Sequence, residues 1–213
     1  FLTQADIFLL IRLVSSSQIG FYTVAMAIAM VQIGLSTSIV QVAFPKVAGI
    51  RAVDPSIEPA EVALRQFRLA QPLVFGMAVL MALLSPFIIR FLYGPDFLPA
   101  LPIAFILVVA MALLGLGHLV DNGLRGMGRS MPGVKANSLG LVVLGACSLP
   151  LTRQYGAQGM AIAVLLAQAS VMAVLLLILR RQGEQHRSWS QMSGFSRTSL
   201  REAMDLLRHR DQA

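Results

Sequence analysis

An all-α membrane protein with six transmembrane helices, the first of them truncated, is the fold expected from three features of the sequence. The first is composition: of 213 residues, 56% are hydrophobic and 13% charged, against roughly 25% charged in ordinary soluble domains. With a mean hydropathy of +0.74, no aqueous globule can hide so much apolar surface behind so few charges, which excludes a soluble monomer. The second is segmentation, since apolar stretches of membrane-crossing length alternate with short charged connections. The third is charge placement. Of the 17 Lys and Arg, all but Arg12, Arg90 and Arg153 fall in connections that would share one side of the membrane.

The elements follow in order. Phe1 to Leu13 reads as a helix already under way, with no basic leader and no small-residue cleavage site. At about 1.5 Å per residue it reaches roughly 20 Å, short of the hydrocarbon thickness of about 30 Å. It is therefore expected to be a helix that lost its beginning. After the turn-like Ser15-Ser16-Ser17, the next span runs from Ile19 to Phe44 and is expected to stop before Pro45. Leu69 to Ile89, Phe97 to Val120, Ala136 to Thr152 and Gln154 to Leu179 complete the set, the last ending at Arg180-Arg181.

Lys46, Arg51, Arg65 and Arg68, then Arg125, Arg129 and Lys135, then the Arg residues from Arg180 onward occupy alternate connections, which assigns that side to the cytoplasm. The formal charge of +7 is thus a threading signal, and no nucleic-acid partner is expected. Residues 1–181 form the transmembrane unit and 182–213 a basic cytoplasmic tail. In the tail, Ser199 and Glu202 have capping-box spacing, and Leu200, Met204 and Leu207 share a face. A short amphipathic helix from Leu200 to about His209 would set Arg201, Arg208 and Arg210 against anionic membrane lipid; a solvated tail fits the same residues.

No catalytic residue, metal site or cofactor is expected, and the chain does not read as an enzyme. It has no Walker loop, no HExxH, no CxxC and no Gly-x-Ser-x-Gly elbow, and its His residues are isolated. The single Cys147 lies in an apolar stretch and reads as a small hydrophobe.

Polar groups inside spans are the remaining candidates, because lipid does not tolerate them on an outer face. Gly34, Thr37, Ser38 and Gln41 follow i, i+3, i+4, i+7 and share one face, with Gln32 elsewhere on the helix. Such a stripe either packs closely against a neighbour or lines a cavity. The small-residue seam Gly159, Ala163 and Ala167 reads as a helix contact. Asp6 is the most informative residue, since a carboxylate in an apolar helix costs several kcal/mol unless paired, hydrated or protonated. It is the candidate for H+ or Na+ coupling; a structural ion pair or a hydrated outer position also fits. Arg12 is six positions on and does not share its face.

A second cluster, Asp121, Asn122, Arg125 and Arg129, closes the fourth span beside Gly123, Gly126 and Gly128. Its guanidinium forks suit phosphate, while topology alone also explains basic residues there. Pro72, Pro86, Pro99, Pro102 and Pro150 lie at or within spans, where they act as hinges or static kinks.

The order of several short motifs resembles the C-terminal half of the polysaccharide flippases, the O-antigen and teichoic-acid exporters. Gln4-Ala5-Asp6, Ile19-Gly20-Phe21-Tyr22-Thr23-Val24-Ala25 and Phe44-Pro45-Lys46 resemble its opening. Ser85-Pro86-Phe87-Ile88-Ile89-Arg90-Phe91-Leu92-Tyr93-Gly94 resembles a span end before an outer turn. Leu124-Arg125-Gly126-Met127-Gly128-Arg129 and Tyr155-Gly156-Ala157-Gln158-Gly159-Met160-Ala161-Ile162-Ala163 are similar to two further landmarks.

The resemblance covers about residues 1–180 and belongs to the superfamily that also holds the lipid II flippase and the multidrug antiporters. It implies one six-helix lobe of a two-lobe fold, with an N-terminal lobe of the same chain as partner. It implies translocation of an undecaprenyl-pyrophosphate-linked oligosaccharide across the bacterial inner membrane by alternating access, with Asp6 at an acidic position of the lobe's first helix. The span interiors lack the dense cationic lining expected for an anionic headgroup. A cation-coupled small-molecule antiporter of the same fold is therefore the alternative. A polysaccharide polymerase or acyltransferase fits less well, because Tyr93 to Asp96 is too short for the outer loop such an enzyme needs. A dimer of this unit acting as a half-transporter is the remaining reading.

Overall fold

A computed structural model describes Asp6 and residues 10–53, 59–126 and 131–183, with the backbone alone at 35–36, 39–53, 59–66, 126 and 180–183. The described residues form helices and no strands. We number the long ones α1 (Ser16–Val53), α2 (Pro59–Leu92), α3 (Leu101–Gly126), α4 (Met131–Tyr155) and α5 (Ala157–Gly183), with a 3-10 helix at Pro95–Ala100 ahead of α3. Five stretches are long and apolar enough to cross a membrane: Ser16–Gly34, Phe67–Leu92, Pro95–Arg125, Met131–Tyr155 and Ala157–Leu179. The protein is an all-α membrane protein. Of the expected first helix, Asp6, Leu10 and Ile11 are described and helical, followed by a turn through Arg12 and Leu13.

The bundle is organised around α3, which packs against α1, α2 and α5, while α5 in turn carries α4. Half of the α3 span (50%) is buried inside the bundle, against 22% of the α4 span. Leu107, Met111, Leu116 and Leu124 of α3 are fully buried with Tyr22, Phe67, Leu144, Met160 and Leu175. Outward-facing Val79, Leu83, Phe87, Val142 and Leu177 are exposed, as a lipid-facing surface requires.

The first two long helices run past their expected ends. The 38-residue α1 continues through Pro45 to Val53, and α2 begins at Pro59, so most of the expected linker Lys46 to Arg68 is helical. At about 1.5 Å per residue α1 is roughly 57 Å long, well beyond the hydrocarbon core. A proline inside such a helix removes one N–H and bends it without ending it when the bundle restores the freed groups. Pro86 shows the repair: it leaves the Ala82 carbonyl without its helical donor, and the buried Ser85 Oγ donates to that carbonyl at 2.8 Å.

Two of the connecting turns depend on glycine. Gly94, before the 3-10 helix, has φ 90°, and Gly156, between α4 and α5, has φ 58°; a Cβ is disfavoured at both. The break at Gly156 puts Gln154 in α4, so the last span starts at Ala157 and not at Gln154 as expected. The tail, including the expected helix from Leu200 to His209, lies outside the described residues.

Candidate functional site

The polar groups that α1 buries are not those of the Gly34 stripe. Tyr22, Ala25, Ala29 and Gln32 all have 0% exposure and follow each other at helical spacing, forming the seam that faces the rest of the bundle. Gln32 Nε2 donates to the Val74 carbonyl of α2 at 3.1 Å, tying the two helices together.

Gly34 and Ser38 are exposed and Thr37 half-buried. The Thr37 and Ser38 hydroxyls both donate back to the Gly34 carbonyl at 2.9 Å, and a Cβ on Gly34 would meet nothing within 4 Å. The polarity of these two hydroxyls is thus satisfied within the helix. The Gln41 side chain lies outside the described residues.

Asp6 sits at the head of this buried seam. Its carboxylate has 1% exposure and accepts a hydrogen bond of 2.5 Å from the Tyr22 hydroxyl. The fold buries Asp6 and gives it a hydrogen bond from a phenol contributed by a second helix. Arg12 is exposed. Tyr22 was not singled out by sequence reasoning. The signal for it was its place on the a/d-like seam with Ala25, Ala29 and Gln32, since a phenol facing a buried seam requires an acceptor.

The second cluster is built differently. Asp121 on α3 is buried, and its Oδ2 pairs with Arg125 Nη2 at 2.8 Å one turn along the same helix. Asp121 Oδ1 has no hydrogen-bond partner among the described residues. It lies where a Cβ on Gly133 of α4 would fall, so α4 can approach α3 there because residue 133 has no side chain. Asn137 Nδ2 donates to the Gly133 carbonyl at 2.8 Å. Asn122, Arg125 and His118 are exposed, and Arg129 lies outside the described residues. No group of three or more metal-ligating side chains occurs among the described residues.

Elsewhere, close packing joins helices and hydroxyls bond within their own helix. Gly159 of α5 lies against the Leu151 carbonyl of α4, where a Cβ would clash with backbone; with Ala163 and Ala167 buried, the seam is a helix contact. Ser148 and Ser170 donate to the carbonyls of Gly145 and Ala167, and Cys147 is half-buried. At the outer end of the bundle Phe97 stacks edge-on against Phe21 at 5.8 Å and tilted against Tyr93 at 5.9 Å.

Among described residues the fully buried polar and charged side chains are Asp6, Gln32, Ser85, Asp121, Ser148, Thr152 and Gln168. The set holds carboxylates, amides and hydroxyls and no Lys or Arg. Such an interior can take a proton or a small cation at a carboxylate and can bend at Ser85-Pro86.

Residues 1–102 match the family model described as "Polysaccharide biosynthesis protein". No curated protein and no solved structure matches the chain.

Proposed function

We propose, on the premise that over residues 1–102 the chain belongs to the polysaccharide biosynthesis protein family, that this bundle is one lobe of a lipid-linked oligosaccharide flippase. Its cargo is an undecaprenyl-pyrophosphate-linked oligosaccharide, carried from the cytoplasmic to the outer leaflet of a bacterial inner membrane, with the basic tail in the cytoplasm. The observation that carries the reading is the family match, supported by five membrane-capable helices. No bond is made or broken. The lobe rocks against an N-terminal lobe of the same protein so that the cavity between them opens to each face in turn. Asp6, buried in apolar surroundings, takes the coupling H+ or Na+.

The test is transport by the full-length protein in liposomes, using a fluorescent undecaprenyl-pyrophosphate-linked oligosaccharide and an impermeant quencher. The proposal expects quenching from the opposite leaflet within minutes, and overturning it takes a rate equal to that of protein-free liposomes.

One observation favours a second reading. The buried polar set contains no cationic side chain among the described residues, which suits a neutral or cationic cargo better than a pyrophosphate. A cation-coupled small-molecule antiporter of the same fold would show itself by efflux of hydrophobic cations against an imposed gradient with no flipping of the labelled lipid.

A further inference from the structure

The Tyr22 to Asp6 contact reaches across a turn. Asp6 and Leu10 precede it, and the Leu13 and Val14 amides both bond back to the Leu10 carbonyl, at 3.0 and 3.2 Å. Then α1 starts at Ser16 and brings Tyr22 back alongside Asp6. Leu10 is fully buried, so apolar packing holds this corner and the phenol–carboxylate bond is its polar fastening. The phenol has little freedom to seek another acceptor. Its ring lies on the seam continued by Ala25, Ala29 and Gln32, all at 0% exposure, and Gln32 is anchored to α2 through the Val74 carbonyl. Turning Tyr22 away would turn the whole face of α1.

We propose that Tyr22 is the positioning residue for Asp6: its hydroxyl holds the carboxylate in place and competes with the coupling cation for the same oxygen. A bond to an ionised acceptor is roughly twice as strong as one between neutral groups. Neutralising Asp6 with H+ or Na+ therefore weakens the fastening between α1 and the chain that precedes the turn. Cation uptake is thereby converted into freedom of one helix to move against its neighbour, the kind of two-state element that coupling needs. The inference rests on the reading of Asp6 as the coupling carboxylate, and Tyr22 adds to that reading the group that senses its charge.

Two measurements on the full-length protein in liposomes separate the two ideas. Difference infrared spectra identify the Asp6 carboxylate stretch as the band lost in Asp6→Asn; in Tyr22→Phe that band should shift, as expected when a strong donor is removed. Flipping of the fluorescent lipid-linked oligosaccharide is then followed with and without imposed H+ or Na+ gradients. The expected result for Tyr22→Phe is at least a tenfold loss of gradient stimulation, with no further loss in the double variant with Asp6→Asn.

An unshifted carboxylate band in Tyr22→Phe overturns the proposal, and so does a shifted band with gradient stimulation intact, which would make the bond structural. Gradient stimulation that survives in Asp6→Asn overturns the coupling role itself. If Tyr22→Phe does not fold, 3-fluorotyrosine at position 22 keeps the ring and the bond while strengthening the donor. The same band must then shift, and an unmoved band overturns the proposal.

Discussion

Two carboxylates are buried among the described residues, and they are held in different ways. Asp6 meets a phenol from another helix at 2.5 Å, deep in apolar packing. Asp121 meets a guanidinium on its own helix at 2.8 Å, and the Arg125 side chain is 56% exposed. The second arrangement conducts the charge to the solvent through a long side chain, as cationic residues near membrane interfaces do. The first keeps the carboxylate inside, against a neutral phenol from a second helix. Burial therefore means different things: Asp121 is part of a charged cap on the C-terminal end of α3, whereas Asp6 is a charge whose removal would change how two helices are joined.

Substitutions test that contrast at descending cost. The largest effect is expected from Gly133→Val, because the new side chain would take the space of the Asp121 carboxylate. Overpacking of this kind costs roughly 1–3 kcal/mol and here also breaks the pair with Arg125. Thermal unfolding in detergent should show Gly133→Val as the least stable of the series. A wild-type melting temperature would mean that α4 does not press on Asp121.

Tyr22→Phe comes next, at about 2 kcal/mol, since a buried acceptor loses a donor; its recovery in the double variant with Asp6→Asn would locate the cost at the bare carboxylate. Asp121→Asn should cost less than about 1 kcal/mol, the range of ion pairs with an exposed partner, and its effect should fade as salt rises. A salt-independent loss above that range would place Asp121 with Asp6 and end the contrast. Smallest of all is Ser38→Ala, within about 0.5 kcal/mol, because the hydroxyl bonds its own helix on an exposed face. Unfolding that matches wild type combined with slowed flipping would identify that face as cavity lining.

How much of this was legible beforehand depended on the range of the interaction. The spans at Leu69 to Ile89, Phe97 to Val120 and Ala136 to Thr152 lie inside helices of the model, because length and absence of charge are local properties read directly along the chain. Helix ends were less legible. Pro45 reads as a stop on steric grounds alone, yet α1 passes it, because a proline inside a helix removes only one of its backbone donors. The Gly159 seam was legible because small residues at every fourth position have one common use. The Gly34 stripe obeyed the same rule, yet Gly34 and Ser38 are exposed, since periodicity defines a face and not what lies opposite it.

The candidate residues divide in the same way. Asp6 stood out because a carboxylate in an apolar run is anomalous wherever it lands, and the pairing of Asp121 with Arg125 lies within reach of i, i+4 spacing on one helix. Tyr22 and Gly133 did not stand out: their importance comes from elements that the chain brings back from 16 and 12 residues away.

Composition, span length and the placement of basic residues were enough to establish an all-α membrane protein, because transfer into lipid acts on each residue wherever its neighbours are. Folding decided the rest: that α3 is the centre and α4 the margin, that Gln32 and not the Gly34 stripe faces inward, and that the buried charge at Asp6 is fastened by Tyr22. Each of these depends on which faces meet when separate helices pack, and a hydrogen bond or a close approach between helices has no counterpart in the linear order of the residues.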